Sequence, residues 1–160
     1  MRVLCVISGR GGSRGVPKKN LRKLSGIPLI AHSFIKAKST NLIDKVICST
    51  DSTEISNIAK EHGVETPFFR PAHLADDHTP LIEVTKHAML EMDKLDESYD
   101  IIVQLAPTSP FLKISSIEKS IILAKDDNCD SAVSLKKIEH EHPYRARRLL
   151  KENFFENFIK

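Results

Sequence analysis

Short, almost wholly apolar runs alternate along this chain with longer stretches whose apolar positions recur every three or four residues. Residues 3–7, 45–49, 101–105 and 131–135 are the short runs and read as strands. Every position from Val3 to Ile7 is apolar, the pattern of a strand covered on both faces of a parallel sheet. After a turn at Gly26, Pro28 suits the first helical position, and Ile30, Phe34 and Ala37 then share one face. Ile55, Ile58 and Ala59 form the stripe of a second helix, which Gly63 is placed to end. A third helix is expected from about Leu81 to about Lys94, and a fourth with Ile117, Ile121 and Ala124 inward. Asp51 with Glu54, and Ser115 with Glu118, have capping-box spacing at two of the helix starts. Beyond residue 135 the pattern weakens, and the last ten residues read as the start of another helix. Strands alternating with helices predict an α/β domain with a mainly parallel sheet. Ligands of such sheets bind at the carboxyl ends of the strands. Those ends carry residues 9–20, 50–51 and 107–110, so three loops are expected to converge on one rim.

Composition narrows this only a little. The 160 residues suit one domain, 41% are hydrophobic, and the net charge of +3 argues for neither nucleic acid nor a membrane partner. Aromatics make up 6%, with no Trp, so there is no stacking platform for single-stranded nucleic acid. The cysteines are Cys5, Cys48 and Cys129; an odd count with no CxxC pair argues against a disulfide framework or a zinc site. Cys5 and Cys48 fall in strand runs and read as buried thiols. With no signal-peptide layout after Met1, a cytoplasmic location is expected.

The stretch from Gly9 to Asn20 changes the picture. Its four glycines let backbone N–H groups approach a ligand, and successive N–H groups form a nest for anions. Arg10, Arg14, Lys18 and Lys19 surround that nest with charge. Two familiar phosphate loops are excluded. A dinucleotide fingerprint begun at Gly9 needs glycine where Arg14 stands, and a Walker A loop needs Gly-Lys where Arg14 and Gly15 stand. A triphosphate or pyrophosphate cradle remains.

The run Arg10-Gly11-Gly12-Ser13-Arg14-Gly15-Val16-Pro17-Lys18-Lys19-Asn20 resembles the signature of the acylneuraminate cytidylyltransferases, or CMP-sialic acid synthetases. Ser49-Thr50-Asp51-Ser52, Phe69-Arg70-Pro71-Ala72-His73-Leu74-Ala75-Asp76-Asp77, Pro107-Thr108-Ser109-Pro110 and Asp130-Ser131-Ala132-Val133-Ser134 resemble later motifs of that family in the same order. The resemblance implies a three-layer, nucleotide-diphospho-sugar transferase-like fold with helices on both faces of the sheet. It implies CTP and a nine-carbon sugar acid as substrates, magnesium as cofactor, a homodimer, and attack of the sugar's anomeric hydroxyl on the α-phosphorus. Arg10 and Lys19 become the catalytic cations. Arg10, Gly11, Gly12, Ser13, Lys19, Asn20, Arg70, Asp77 and Thr79 become nucleotide-binding residues. Ala106, Thr108 and Ser109 fall on the sugar side.

The same resemblance marks departures. Ala106 stands where many relatives carry Gln, and Leu81 where well-known members carry a serine that contacts the nucleotide. The family's metal-binding aspartates belong to a later part with no counterpart here, so an incomplete domain is expected over residues 1–160, and the metal ligands stay unassigned. Asp76 and Asp77 read as loop or capping residues before metal ligands. His140 and His142 read as solvated before metal-binding. Arg145, Arg147 and Arg148 suit either an exposed face or a sugar carboxylate. Two other functions stay open: a nucleotidyltransferase for another sugar, and a nucleotide- or partner-binding unit without catalysis.

Overall fold

The computed structural model describes residues 1–13, 15–126 and 129–135, together with the backbone of two short strands at 147–149 and 155–157. Arg14, His140, His142 and Arg145, and the side chains of Arg147 and Arg148, lie outside the described residues.

Three parallel strands make the sheet: β1 (Val3–Ser8), β4 (Lys45–Ser49) and β5 (Ile101–Leu105). Their order is β4-β1-β5, so β1 is central. Ser8 aligns with Ser49, and Ile7 with Leu105, which brings the three carboxyl ends to one rim. Between β1 and β4 lie a small antiparallel hairpin, β2 (Lys23–Leu24) with β3 (Ile27–Pro28), and helix α1 (Leu29–Lys38). Helix α2 (Thr53–Glu61) follows β4, α3 (Leu81–Asp93) precedes β5, and α4 (Ile114–Ala124) follows it.

Alternation along β1 decides which helix packs where, because successive strand side chains point to opposite faces. Val3, Cys5 and Ile7 face a core shared with Ile30 and Phe34 of α1, Ile55 and Ala59 of α2, and Ile117 and Ile121 of α4. Leu4 and Val6 face the other side, against Ile47 and against Ala88 and Met92 of α3. Helices therefore cover both faces, and the expected three-layer α/β architecture is found. Burial raises the thiol pKa of Cys5 and lifts that of Cys48 to about 12, so both act as small core hydrophobes.

Several local expectations need correction. Helix α2 is capped by Ser52, whose hydroxyl accepts from Ile55 N at 3.4 Å, not by Asp51. Ser115 caps nothing. Helix α4 already begins at Ile114, with Lys113 in the N-cap position and no side-chain cap. Residues 131–135 do not form a strand; they run beside the free edge of β5 across a cleft of about 540 Å³. Val133 and Leu135 there are 75% and 91% exposed, so among the described residues this segment's strand-like composition meets neither a ladder nor a core. Of the last ten residues, the described ones are extended rather than helical: they form β7 (Phe155–Asn157), antiparallel to β6 (Arg147–Leu149), with Leu149 opposite Phe155. Adjacent aromatics at 154 and 155 favour that extended form.

Candidate functional site: an anion cradle at the sheet rim

The glycine-rich loop leaves β1 and is fastened to the sheet at once, since Gly9 N donates to Ser49 O at 3.1 Å. Close approach explains two of its glycines. A Cβ on Gly9 would stand 2.4 Å from Ile30 Cδ1, and one on Gly11 would stand 3.0 Å from Ser52 Cβ. The loop therefore lies flat against the starts of α1 and α2. Asn20, 7% exposed, props it from beneath by donating its side-chain amide to Arg10 O at 2.9 Å. Lys18, in a left-handed conformation (φ 51°), turns the chain into a short 3-10 turn, Lys19–Leu21.

Acidic side chains from other segments meet this loop. Asp51, two residues past β4, accepts from Gly11 N at 2.8 Å. Glu54 in the first turn of α2 receives Lys18 Nζ on both oxygens, at 2.9 and 3.0 Å. Arg10 reaches across the rim and donates from Nη2 to Asp77 Oδ1 and from Nη1 to the Asp76 carbonyl. Lys19 and Ser13 have no side-chain hydrogen-bond or ion-pair partner among the described residues.

Arg70 forms the wall of the rim beside β4. Its N–H donates to Thr50 O at 2.8 Å, its Nε to Ser49 Oγ at 3.2 Å, and its Nη2 to Ser49 O. Burial lowers its pKa, and the charge of Asp51 opposes that effect. Beyond it, Asp76 Oδ1 closes a turn, accepting from His78 N at 2.9 Å and Thr79 N at 2.6 Å, with the Thr79 hydroxyl also at 2.6 Å. Those bonds, the Thr79 hydroxyl first, hold the Asp76 carboxyl below its ordinary range. On the opposite side, Ser109 N donates to Ala106 O at 3.1 Å, leaving Thr108 and Ser109 exposed at the tip of the loop after β5. Lys36 of α1 donates to the Pro110 carbonyl and ties that loop down.

Arg10, Gly11, Gly12, Ser13, Lys19, Asn20, Arg70, Asp77 and Thr79 thus come together, with Ala106, Thr108 and Ser109 on the third loop of the same rim. Sequence reasoning missed the work of Asp51, Ser49, Glu54 and Lys36. Asp51 carried a signal, its place at a strand end, but a helix-capping role was enough to explain it. Among the described residues no group of three or more His, Cys, Asp or Glu side chains stands ready for a metal ion. Asp76 is committed to its own turn and Asp77 faces Arg10, so these residues do not fit the implied magnesium. No helix among the described residues is long and apolar enough to cross a membrane.

The groups that suit a polyphosphate, a glycine-rich backbone, a forked cation and a point-charge cation, stand on one rim. Known proteins resemble this chain along most of its length. A family model described as cytidylyltransferase matches residues 4–154. The CMP-N,N'-diacetyllegionaminic acid synthase of Legionella pneumophila is 35% identical over 125 residues, 78% of this chain and 54% of that protein. The pseudaminic acid cytidylyltransferase of Campylobacter jejuni is 31% identical over 153 residues, 96% of this chain and 65% of that one. The chain therefore spans between about half and two thirds of these relatives' length. Among solved structures, a CMP:2-keto-3-deoxy-manno-octonic acid synthetase complexed with CTP superposes with a TM-score of 0.66 at 23% identity, over 80% of this chain and 49% of that one, a likeness of fold.

Proposed function

This chain belongs to the cytidylyltransferase family, and from that premise we propose that it carries the nucleotide-binding half of an enzyme joining CTP to a nine-carbon sugar acid. The observation that supports this most is the cradle itself: a glycine-rich loop after the central strand, ringed by Arg10, Lys18 and Lys19, opposite the buried guanidinium of Arg70.

In the proposed reaction the anomeric hydroxyl oxygen of the sugar attacks the α-phosphorus, and the bond to the departing pyrophosphate breaks. Negative charge grows on the leaving oxygens. Arg10 and Lys19 stabilise it, and preorganised cations of this kind are the main protein contribution to such transfers. Gly11, Gly12 and Ser13 bring backbone close to the phosphates, while Asn20 keeps that backbone in place. Arg70 and Thr79 line the nucleoside side, and Asp77 acts there through Arg10. Thr108 and Ser109 offer hydroxyls to the sugar, and Ala106 leaves room beside them. The names of the two relatives favour a legionaminic- or pseudaminic-type acid.

The test is pyrophosphate release from CTP and magnesium across a panel of nine-carbon sugar acids and hexose 1-phosphates, with CTP binding followed in parallel. Release with one of the sugar acids is expected. Release with a hexose 1-phosphate alone would reject the substrate class, and CTP binding without release would reduce the reading to a nucleotide-binding unit.

A further inference from the structure

We propose that the cradle is latched by the protein's own carboxylates, with Asp77 on Arg10 as the main latch, so that polyphosphate binding is an exchange of one anion for another. The inference rests on the anion-binding part of the function proposed above.

Three donors of the loop already hold an acidic partner, each drawn from a different segment. Arg10 gives Nη2 to the Asp77 carboxylate and Nη1 to the Asp76 carbonyl, 67 and 66 positions further along the chain. Gly11 gives its N–H to Asp51 at 2.8 Å. Lys18 gives its ammonium to both oxygens of Glu54. A carboxylate offers a guanidinium the same planar pair of oxygens as a phosphate. The face of Arg10 that meets Asp77 is therefore closed to a phosphate until Asp77 leaves.

The local architecture permits that departure. The turn containing Asp77 is closed by Asp76, through His78 N and Thr79 N, and not by Asp77. Arg10 and Asp77 are 27% and 22% exposed, so water can solvate both partners as they separate. Arg10 is also set on a braced backbone, because Asn20 holds its carbonyl. Losing Asp77 frees the guanidinium while Asn20 still holds the Arg10 carbonyl.

The test titrates CTP, and separately inorganic tripolyphosphate, into the whole chain and its Asp77→Asn variant. Asparagine keeps the size and an acceptor oxygen and removes only the charge. The variant is expected to bind both ligands on the order of fivefold tighter, the strength of one part-exposed ion pair. The gain should shrink without Arg10, so that Arg10→Ala and Arg10→Ala/Asp77→Asn differ by less than the wild type and Asp77→Asn do. Equal or weaker binding by Asp77→Asn overturns the latch and makes Asp77 a brace that aims Arg10. Thermal unfolding accompanies each titration; if Asp77→Asn does not fold, Asp77→Ser takes its place with the same expected gain. Tighter tripolyphosphate binding in a chain that ignores CTP would uphold the latch and reject the nucleotide reading. CTP binding that Asp77→Asn leaves unchanged would do the reverse.

Discussion

Arg10 and Arg70 stand on the same rim and do different work. Arg70 is 7% exposed and gives its fork to Ser49, so its charge fixes the end of β4. Arg10 is more open, and its partners lie on a surface turn. Arg10→Ala is therefore expected to leave the unfolding midpoint near that of the wild type. It should lower kcat/KM for pyrophosphate release by about 10- to 150-fold, the loss of one charge-assisted contact of about 1.5–3 kcal/mol. His87 adds a pH dependence. Its ring packs edge-on against Phe68, and burial lowers its pKa below the ordinary 6.5 despite Glu91. The folded state thus prefers the neutral ring. The stability this gives is present above 6.5 and declines as the pH falls below it, because the unfolded chain takes up the proton first. Melting temperatures should drop between neutral and mildly acidic pH, and His87→Gln should flatten that drop. The cations of the cradle were legible in the sequence because glycine and charge are so dense after the first strand. Their partners were not, since nothing in a linear pattern joins Arg10 to a carboxylate 67 residues away.

At the scale of elements, the start of α2 separates two roles that the sequence overlays. Ser52 caps the helix, while Asp51 beside it accepts the Gly11 N–H. Ser52→Ala should lower stability by about 1 kcal/mol, the usual loss of an N-cap, as read by denaturant unfolding. Asp51→Asn should alter polyphosphate affinity and leave the helix content unchanged by circular dichroism. Helices α1 to α4 were legible because each shows a buried stripe at helical spacing. The strands that failed at 131–135 and went unforeseen at 147–149 and 155–157 depend on pairing, and pairing is a property of the partner as much as of the segment.

For the whole molecule, the sheet order β4-β1-β5 sets β1 between two full strands, while among the described residues the outer edge of β4 meets only isolated bridges at Glu65 and Phe69. Hydrogen exchange should therefore be slowest at the amides of Leu4, Cys5, Val6 and Ile7, and faster in β5, whose outer edge borders the open cleft. Alternating strands and helices were enough to foresee the parallel sheet and its rim. The strand order was not written in that alternation, because it depends on which crossover passes over which neighbour.

That central place has a consequence during synthesis. Leu4 is made first but pairs with Lys45, and Val3 with Ile101. Until residue 49 has left the ribosome, β1 is an apolar ribbon with neither edge covered, and its second edge stays bare until residue 105 emerges. Such contacts between distant positions form slowly, and uncovered edges invite association with other nascent chains. Yield of folded protein is thus set by how long β1 waits for its two neighbours, and slower growth at low temperature or a bound chaperone should raise it.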